Sequence, residues 1–333
     1  MWTSLAYAAA LLAAGSHAAP LEQRTTMTSS QLSTFTMFSQ YAGAAYCYDN
    51  VHKNGKMNCS SEGGSCPLVE SAGATVIHAF QAGSSKTLGY VATDSKNKLI
   101  VVAIQGTQIW SNPIDIITDA DLLQVKSDLC GSANSHDGCL VHKGFYGSMK
   151  DAATVVVPTV QAAAKENPSY RVVVTGHSLG GAVSALLGTT LRNLGMTVDM
   201  YTFGQPKLGN ADISNYIQSQ SPSKGNNYRV THFNDVVPQL PEHTWGNNAW
   251  DHYYPEFWIN KDQGTVSTSD MKVVDATLFS KAGNEGTNSA FSLVGELFEG
   301  GVAAHGLYFG KISGCSSKAP FPPSAASSSG KAS

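Results

Sequence analysis

Residues 176–181 read Gly-His-Ser-Leu-Gly-Gly. They lie between a β-branched run, Arg171-Val172-Val173-Val174-Thr175, and a stretch rich in Ala and Leu from Ala182 to Asn193. A serine in a Gly-x-Ser-x-Gly setting, between a buried strand and a helix, is arranged to act as a nucleophile. The strand carries Ser178 to the edge of a sheet, and glycine at 176 and 180 lets the chain turn sharply without a Cβ clash. The helix N-terminus then aims backbone N–H groups and the positive end of its dipole at the site. The same pattern alone also occurs as an inert glycine-rich turn. The strand before it and the helical pattern after it favour the nucleophile.

A serine hydroxyl is a poor nucleophile without a general base and a carboxylate to orient that base. On such a turn they follow in the order Ser, acid, His. The downstream histidines are His232, His243, His252 and His305. His305, in Ala303-Ala304-His305-Gly306-Leu307-Tyr308, has small neighbours that leave the ring room to move, and it is the expected base. His232 ends the strand-like run Tyr228–Thr231 and reads as packed there. His243 and His252 sit in an aromatic, loop-like region suited to a surface or substrate wall, and His177 points away from the nucleophile and packs. Asp235 follows the same strand as His232, at the C-terminal edge where parallel sheets carry active-site loops, and is the expected acid. Asp199 lies at the start of the strand Met200–Phe203, on the opposite edge. Asp251, Asp262, Asp270 and Asp275 have no strand end just upstream and read as solvated.

An acyl-transfer intermediate also needs two donors for its oxyanion. The backbone N–H of Leu179, directly after the nucleophile, is one. The turn Gln105-Gly106-Thr107, after the strand-like Leu99–Ile104, offers the other through the N–H and hydroxyl of Thr107; the alternative there is an ordinary strand end with a glycine turn.

With these residues in place the chain resembles the secreted fungal class 3 lipases, the family that also contains type A feruloyl esterases and mono- and diacylglycerol lipases. The resemblance runs from about residue 30 to 315. It rests on Gln40-Tyr41-Ala42-Gly43-Ala44-Ala45-Tyr46, Gly106-Thr107, Val141-His142-Lys143-Gly144-Phe145, the serine turn, Tyr201-Thr202-Phe203-Gly204-Gln205-Pro206, Asn234-Asp235 and Ala304-His305. Carried over position by position, it implies Ser178, Asp235 and His305 as the triad, and Thr107 and Leu179 as the oxyanion hole. One departure is Gln105, where the family usually has Arg.

The elements that must position these residues follow from the rest of the chain. At 333 residues, with 14% charged residues and a formal net charge of -3, the sequence fits one α/β domain and carries no basic patch for nucleic acid. Apolar positions at helical spacing predict a helix over 30–47, strands over Thr75–Phe80 and Leu88–Thr93, and a long helix over Gly147–Glu166 kinked at Pro158. Helix, strands, then alternating strands and helices imply an α/β-hydrolase core over residues 30–315, a mostly parallel sheet flanked by helices with a short helical lid. The apolar run Leu5–Ala14 ending at Ser16-His17-Ala18 reads as a signal peptide over 1–18, followed by an arm or propeptide over 19–29. No later segment approaches the roughly 20 apolar residues of a membrane span. Residues 316–333, rich in Ser, Ala and Pro, read as a disordered tail. Six cysteines in an exported chain predict disulfides. Cys59 with Cys66 and Cys130 with Cys139 are close enough to staple loops, which leaves Cys47 with Cys315. No Cys-x-x-Cys pair supports zinc. Asn58-Cys59-Ser60 is formally a glycosylation sequon.

Between the oxyanion turn and the next strand, Asn112 can cap a short helix with Pro113 at its first position, gathering Trp110, Ile114 and Ile117 on one side. Such an amphipathic flap suits a lipase that opens at an oil surface, although a surface helix packed on the core would show the same pattern. The expectation is a secreted, monomeric lipase acting on acylglycerols at a lipid–water interface, without cofactor or metal. The alternatives are a feruloyl-type esterase, disfavoured by Ile114, Ile116 and Ile117, and a binding protein that keeps an unused triad.

Overall fold

The structure is a computed structural model that describes residues 27–107, 122–131, 138–244, 249–275, 278, 280–287 and 303–315. The expected signal peptide over 1–18, most of the expected arm after it, the expected tail over 316–333 and the expected flap residues Trp110, Ile114 and Ile117 lie outside the described residues. Helix α1 (Ser29–Ala44) opens with a reciprocal cap in which Thr28 Oγ1 accepts from Gln31 N at 3.1 Å and Gln31 Oε1 accepts from Thr28 N at 2.9 Å. Its face Phe35, Phe38, Tyr41 and Ala42 is buried. The helix stops at Ala44 rather than running to 47 as the apolar spacing predicts. Cys47 instead caps a second short helix, α2 (Tyr48–His52).

After β1 (Gly55–Lys56) and helix α3 (Pro67–Ala72), strands β2 (Thr75–Ala82), β3 (Thr87–Asp94) and β4 (Leu99–Ile104) form an antiparallel meander. A short ribbon of β5 (Gln124–Lys126) and β6 (Leu140–His142) leads into helix α4 (Lys143–Glu166). The chain then alternates through β7 (Arg171–His177), α5 (Leu179–Asn193), β8 (Val198–Phe203), α6 (Ala211–Ser219), β9 (Asn227–His232), β10 (Glu256–Ile259) and β11 (Met271–Val274). The main sheet has the order β1-β2-β3-β4-β7-β8-β9-β10-β11, with β4, β7, β8, β9 and β10 parallel to one another and β11 antiparallel to β10.

Side chains of a strand alternate between faces, so a strand covered on both sides reads as an unbroken apolar run. Along β4 every residue from Leu99 to Ile104 is buried. Leu99, Val101 and Ala103 join the core under α1, α2 and α3. Ile100, Val102 and Ile104 join the core under α4, α5 and α6. The aromatic rings of Phe38 and Tyr201 stack at 4.1 Å between α1 and β8. Helix α4 begins at Lys143 rather than Gly147 because His142 Nδ1 accepts from Gly144 N at 3.1 Å and from Phe145 N at 3.3 Å. Pro158 lies inside α4 on its exposed side.

Because the central strands are parallel, their C-terminal ends share one edge, and Gln105–Thr107, Ser178, Gly204 and Asp235 all follow those ends. The disulfides are Cys47–Cys315, Cys59–Cys66 and Cys130–Cys139. The first closes 268 residues of sequence with a Cα separation of 4.8 Å and fixes the end of the described chain to the start of α2. Cross-linking so long a loop is worth up to about 5 kcal/mol by restricting the unfolded chain. Replacing Cys47 and Cys315 together by Ser is therefore expected to lower the urea unfolding free energy by about 3–5 kcal/mol, with the two short loops intact on peptide mapping. A loss under about 1 kcal/mol would mean the link adds little to the fold.

Candidate active site

Ser178 has φ +59° and ψ −133°, backbone values that a residue with a Cβ rarely adopts. The turn holds this conformation because its neighbours leave no other path. Ser178 N donates to Phe203 O of β8 at 2.9 Å, and Gly181 N donates back to Ser178 O at 2.9 Å. Gly180 meets the preceding loop so closely that a Cβ there would sit 2.3 Å from Ile104 O and 2.9 Å from Gly106 N. The start of α5 therefore rests against Gln105–Thr107. Leu179 is the first residue of α5, where the N–H has no intrahelical acceptor. Gln105 is buried, and its Nε2 donates to Ala45 O at 2.8 Å, tying the loop after β4 to the end of α1.

Asp235 and His305 come together across 70 residues of sequence. His305 Nδ1 is 2.9 Å from Asp235 Oδ2 and 3.1 Å from Oδ1, and both residues have no exposure. The carboxylate also accepts from the Tyr308 hydroxyl, and Val237 N donates to Oδ1 at 2.9 Å. Burial, followed by the negative charge of Asp235, pushes the Tyr308 hydroxyl well above its ordinary range, so it stays a donor. His305 Nε2 is buried and has no hydrogen-bond partner among the described residues, Ser178 included. The ring lies over Gly204, where a Cβ would stand 3.0 Å from Cε1 and Nδ1, next to the Phe203 carbonyl that holds Ser178.

His177 does more than pack. Its Nε2 is 2.8 Å from His305 O and its Nδ1 is 2.7 Å from the Tyr46 hydroxyl. A carbonyl only accepts, so Nε2 carries the proton and Nδ1 accepts from Tyr46. Burial, with His305 nearby, holds this imidazole well below its ordinary range and keeps it neutral. His232, read from sequence as a packed strand end, uses Nδ1 to donate to Ala304 O at 2.9 Å. Two histidines thus fix the carbonyls of consecutive residues, Ala304 and His305, while the segment beyond is held by Ile312 against Gly43 of α1 and by the Cys47–Cys315 link.

Asp199 lies far from Ser178 along the sheet. It pairs with Arg171 at 3.3 Å at the start of β7 and accepts from Asn226 N at 2.8 Å. The solvated reading of Asp251 fails: it is buried, 3.1 Å from His243, and its carboxyl is raised by burial with His243 opposing. His252 is also buried, with Nε2 donating to Pro238 O at 2.7 Å. Sequence reasoning missed Tyr46, Tyr308, Gln239 and Asn284; Tyr46, Tyr308 and Asn284 bond to the site across 131, 73 and 49 residues, and Gln239 bonds Asp235 O from four residues further on. The tyrosines had a trace, since Tyr46 sits in the first segment of the family resemblance and Tyr308 sits beside His305; Gln239 and Asn284 had none.

The model of the family described as Lipase (class 3) matches residues 101–245. Secreted mono- and diacylglycerol lipase A of Penicillium cyclopium is 38% identical over 267 residues, covering 78% of this chain and 81% of that protein. Secreted mono- and diacylglycerol lipase 1 of Fusarium solani is 34% identical over 302 residues, covering 89% and 81%. Among solved structures, a mono- and diacylglycerol lipase from Aspergillus oryzae superposes with a TM-score of 0.74 at 33% identity, over 87% of this chain and 99% of that one. Lip2 lipase of Yarrowia lipolytica gives 0.69 at 26% identity, over 86% and 95%. On the serine turn, the sheet order and this sustained identity, the chain belongs to the class 3 lipase family of carboxylic ester hydrolases and has their α/β-hydrolase fold.

Proposed function

We propose that this chain is an exported lipase that hydrolyses acylglycerol esters through an acyl-enzyme on Ser178. The observation that carries the reading is the buried His305–Asp235 pair, with Nε2 of His305 left unpartnered beside the strained serine turn. Ser178 Oγ attacks the ester carbonyl carbon as His305 Nε2 takes its proton. The tetrahedral oxyanion is held by the N–H of Leu179 and by Thr107, through its N–H and hydroxyl. Collapse breaks the bond to the glyceride oxygen, which leaves with the proton from His305. Water, deprotonated by the same nitrogen, then attacks the acyl carbon and releases the fatty acid and Ser178. Asp235 holds the imidazole in the required tautomer throughout. Export is supported by the apolar run Leu5–Ala14, by the disulfides and by relatives named as secreted. Among the described residues no helix is long and apolar enough to cross a membrane.

Purified mature protein is expected to turn over diolein and triolein well above methyl ferulate, and Ser178→Ala, His305→Ala and Asp235→Asn should each lose at least about 10³-fold in kcat. Preference for methyl ferulate would instead favour the feruloyl-type esterase. Wild-type rates in Ser178→Ala would end the assignment.

The sequence over Trp110–Ile117 supports a gate as well. Each large apolar side chain costs roughly 1.5–3 kcal/mol to leave in water, and an oil surface removes that cost. Rates on a short-chain acylglycerol are expected to rise sharply as its concentration passes the solubility limit, and Trp110→Ser with Ile114→Ser should flatten that rise. A smooth saturation curve in the parent protein would contradict the gate.

A further inference from the structure

The turn that presents Asp235 is held only in part by its own strand. After His232 the chain reverses through Phe233 at φ +36°, a conformation unfavourable for an aromatic residue, and Asp235 N donates back to His232 O at 2.8 Å. The reversal leaves the carbonyls of Phe233 and Asp235 converging in the interior, where an unpaired acceptor is costly. Trp258 Nε1 donates to Phe233 O at 2.9 Å, and one side chain from a segment about fifty residues further on bridges both carbonyls. Asn284 Nδ2 lies 2.9 Å from Asp235 O and 3.1 Å from Phe233 O, with His232 O at 3.5 Å. An amide NH2 has two hydrogens, and they match the two short contacts. The other donor to Asp235 O is Gln239 Nε2 at 3.3 Å, which is itself shared with Asn284 O and Thr287 Oγ1.

Asn284 is in turn fixed from below. It is 1% exposed, and its own N–H donates to Glu256 Oε1 at 3.1 Å. Gly283 lets this approach happen, since a Cβ there would sit 2.3 Å from the Glu256 carboxylate. The next residue, Glu285, pairs with the buried Lys207 at 3.0 Å. The segment 283–287 is therefore tied to Glu256 and Lys207. The bonds of the Asn284 side-chain amide go to the backbone of the acid loop.

We infer that Asn284 is a positioning residue for the reaction, acting through the Asp235 turn on the orientation of His305. This rests on the triad proposed above. Removing the amide leaves Asp235 O with only the longer bond from Gln239 Nε2 at 3.3 Å and unties it from Phe233 O, which keeps Trp258 Nε1 at 2.9 Å, so the turn loosens and the Asp235 carboxylate shifts from its place on Nδ1. The step that suffers is proton transfer, so the loss falls on kcat and not on substrate affinity.

The test uses the full mature chain with Asn284→Ala and Asn284→Asp, a dissolved short-chain ester, and end-point titration of reactive serine by a p-nitrophenyl phosphonate. The expected result is a fall of about 10–10²-fold in kcat per titrated site for Asn284→Ala, with KM within about threefold of the parent. A larger fall is expected for Asn284→Asp, which keeps the shape but turns an oxygen toward the same carbonyls. If activity fell only in proportion to the titrated fraction, with full kcat per remaining site, Asn284 would be merely structural and the inference overturned. A rise in KM at constant kcat would overturn it too. Ser178→Ala run alongside keeps the two readings apart, because activity surviving there would remove the triad itself, whereas its loss there with normal kcat in both Asn284 variants would remove only this inference.

Discussion

Asp235 is an ionisable group without solvent contact, and a carboxylate taken out of water costs several kcal/mol unless donors replace its hydration. The rest of the site can be understood as the supply of those donors. His305 Nδ1, the Tyr308 hydroxyl and Val237 N all point at its two oxygens. Two of the three belong to the segment 303–315, so the carboxylate recruits the stretch of chain that carries His305. The same requirement makes the arrangement specific. A buried carboxylate with its donors removed is worse than no carboxylate, so the loop and the His305 segment form together or not at all.

Against this pair the sheet sets the strained serine. The φ of Ser178 is affordable only because β7 and β8 hold both sides of the turn and because the loop after β4 packs against Gly180 with no room for a side chain. His177 then joins the two halves. One ring nitrogen takes the carbonyl of His305 and the other takes the Tyr46 hydroxyl at the end of the first helical layer. Neutral through burial, His177 adds no charge beside His305. In the proposed mechanism this geometry keeps Nε2 of His305 unpartnered until a substrate or Ser178 moves into reach.

Much of this was legible in the sequence, and the parts that were not share a cause. The serine turn could be read because its requirements are local: a β-branched strand, two glycines and a helix adjoin in the chain. Asp235 could be read from the end of β9 for the same reason. The start of α4 was misplaced because its cap is His142, outside the usual Ser, Thr, Asp and Asn set. Asp251 was misread as solvated because nothing near it in sequence signals burial, and it is the isolated bridges of Gly209 to Val141 and to Asp251 that bury it. The anchoring roles of His177, His232, Tyr308 and Asn284 depend on partners between 49 and 131 residues away. No periodicity or capping signal reports such contacts.

The central claim is that Ser178 is the nucleophile and that the buried pair of His305 and Asp235 makes it so. Reaction with a radiolabelled alkyl p-nitrophenyl phosphonate, followed by peptide mass analysis, tests it most directly. The account predicts a single phosphonyl group per chain, on the peptide containing Ser178, formed in step with the loss of ester hydrolysis. It also predicts slow labelling in Asp235→Asn. A label on any other residue, or a fully labelled Ser178 in protein that still hydrolyses esters, would contradict it.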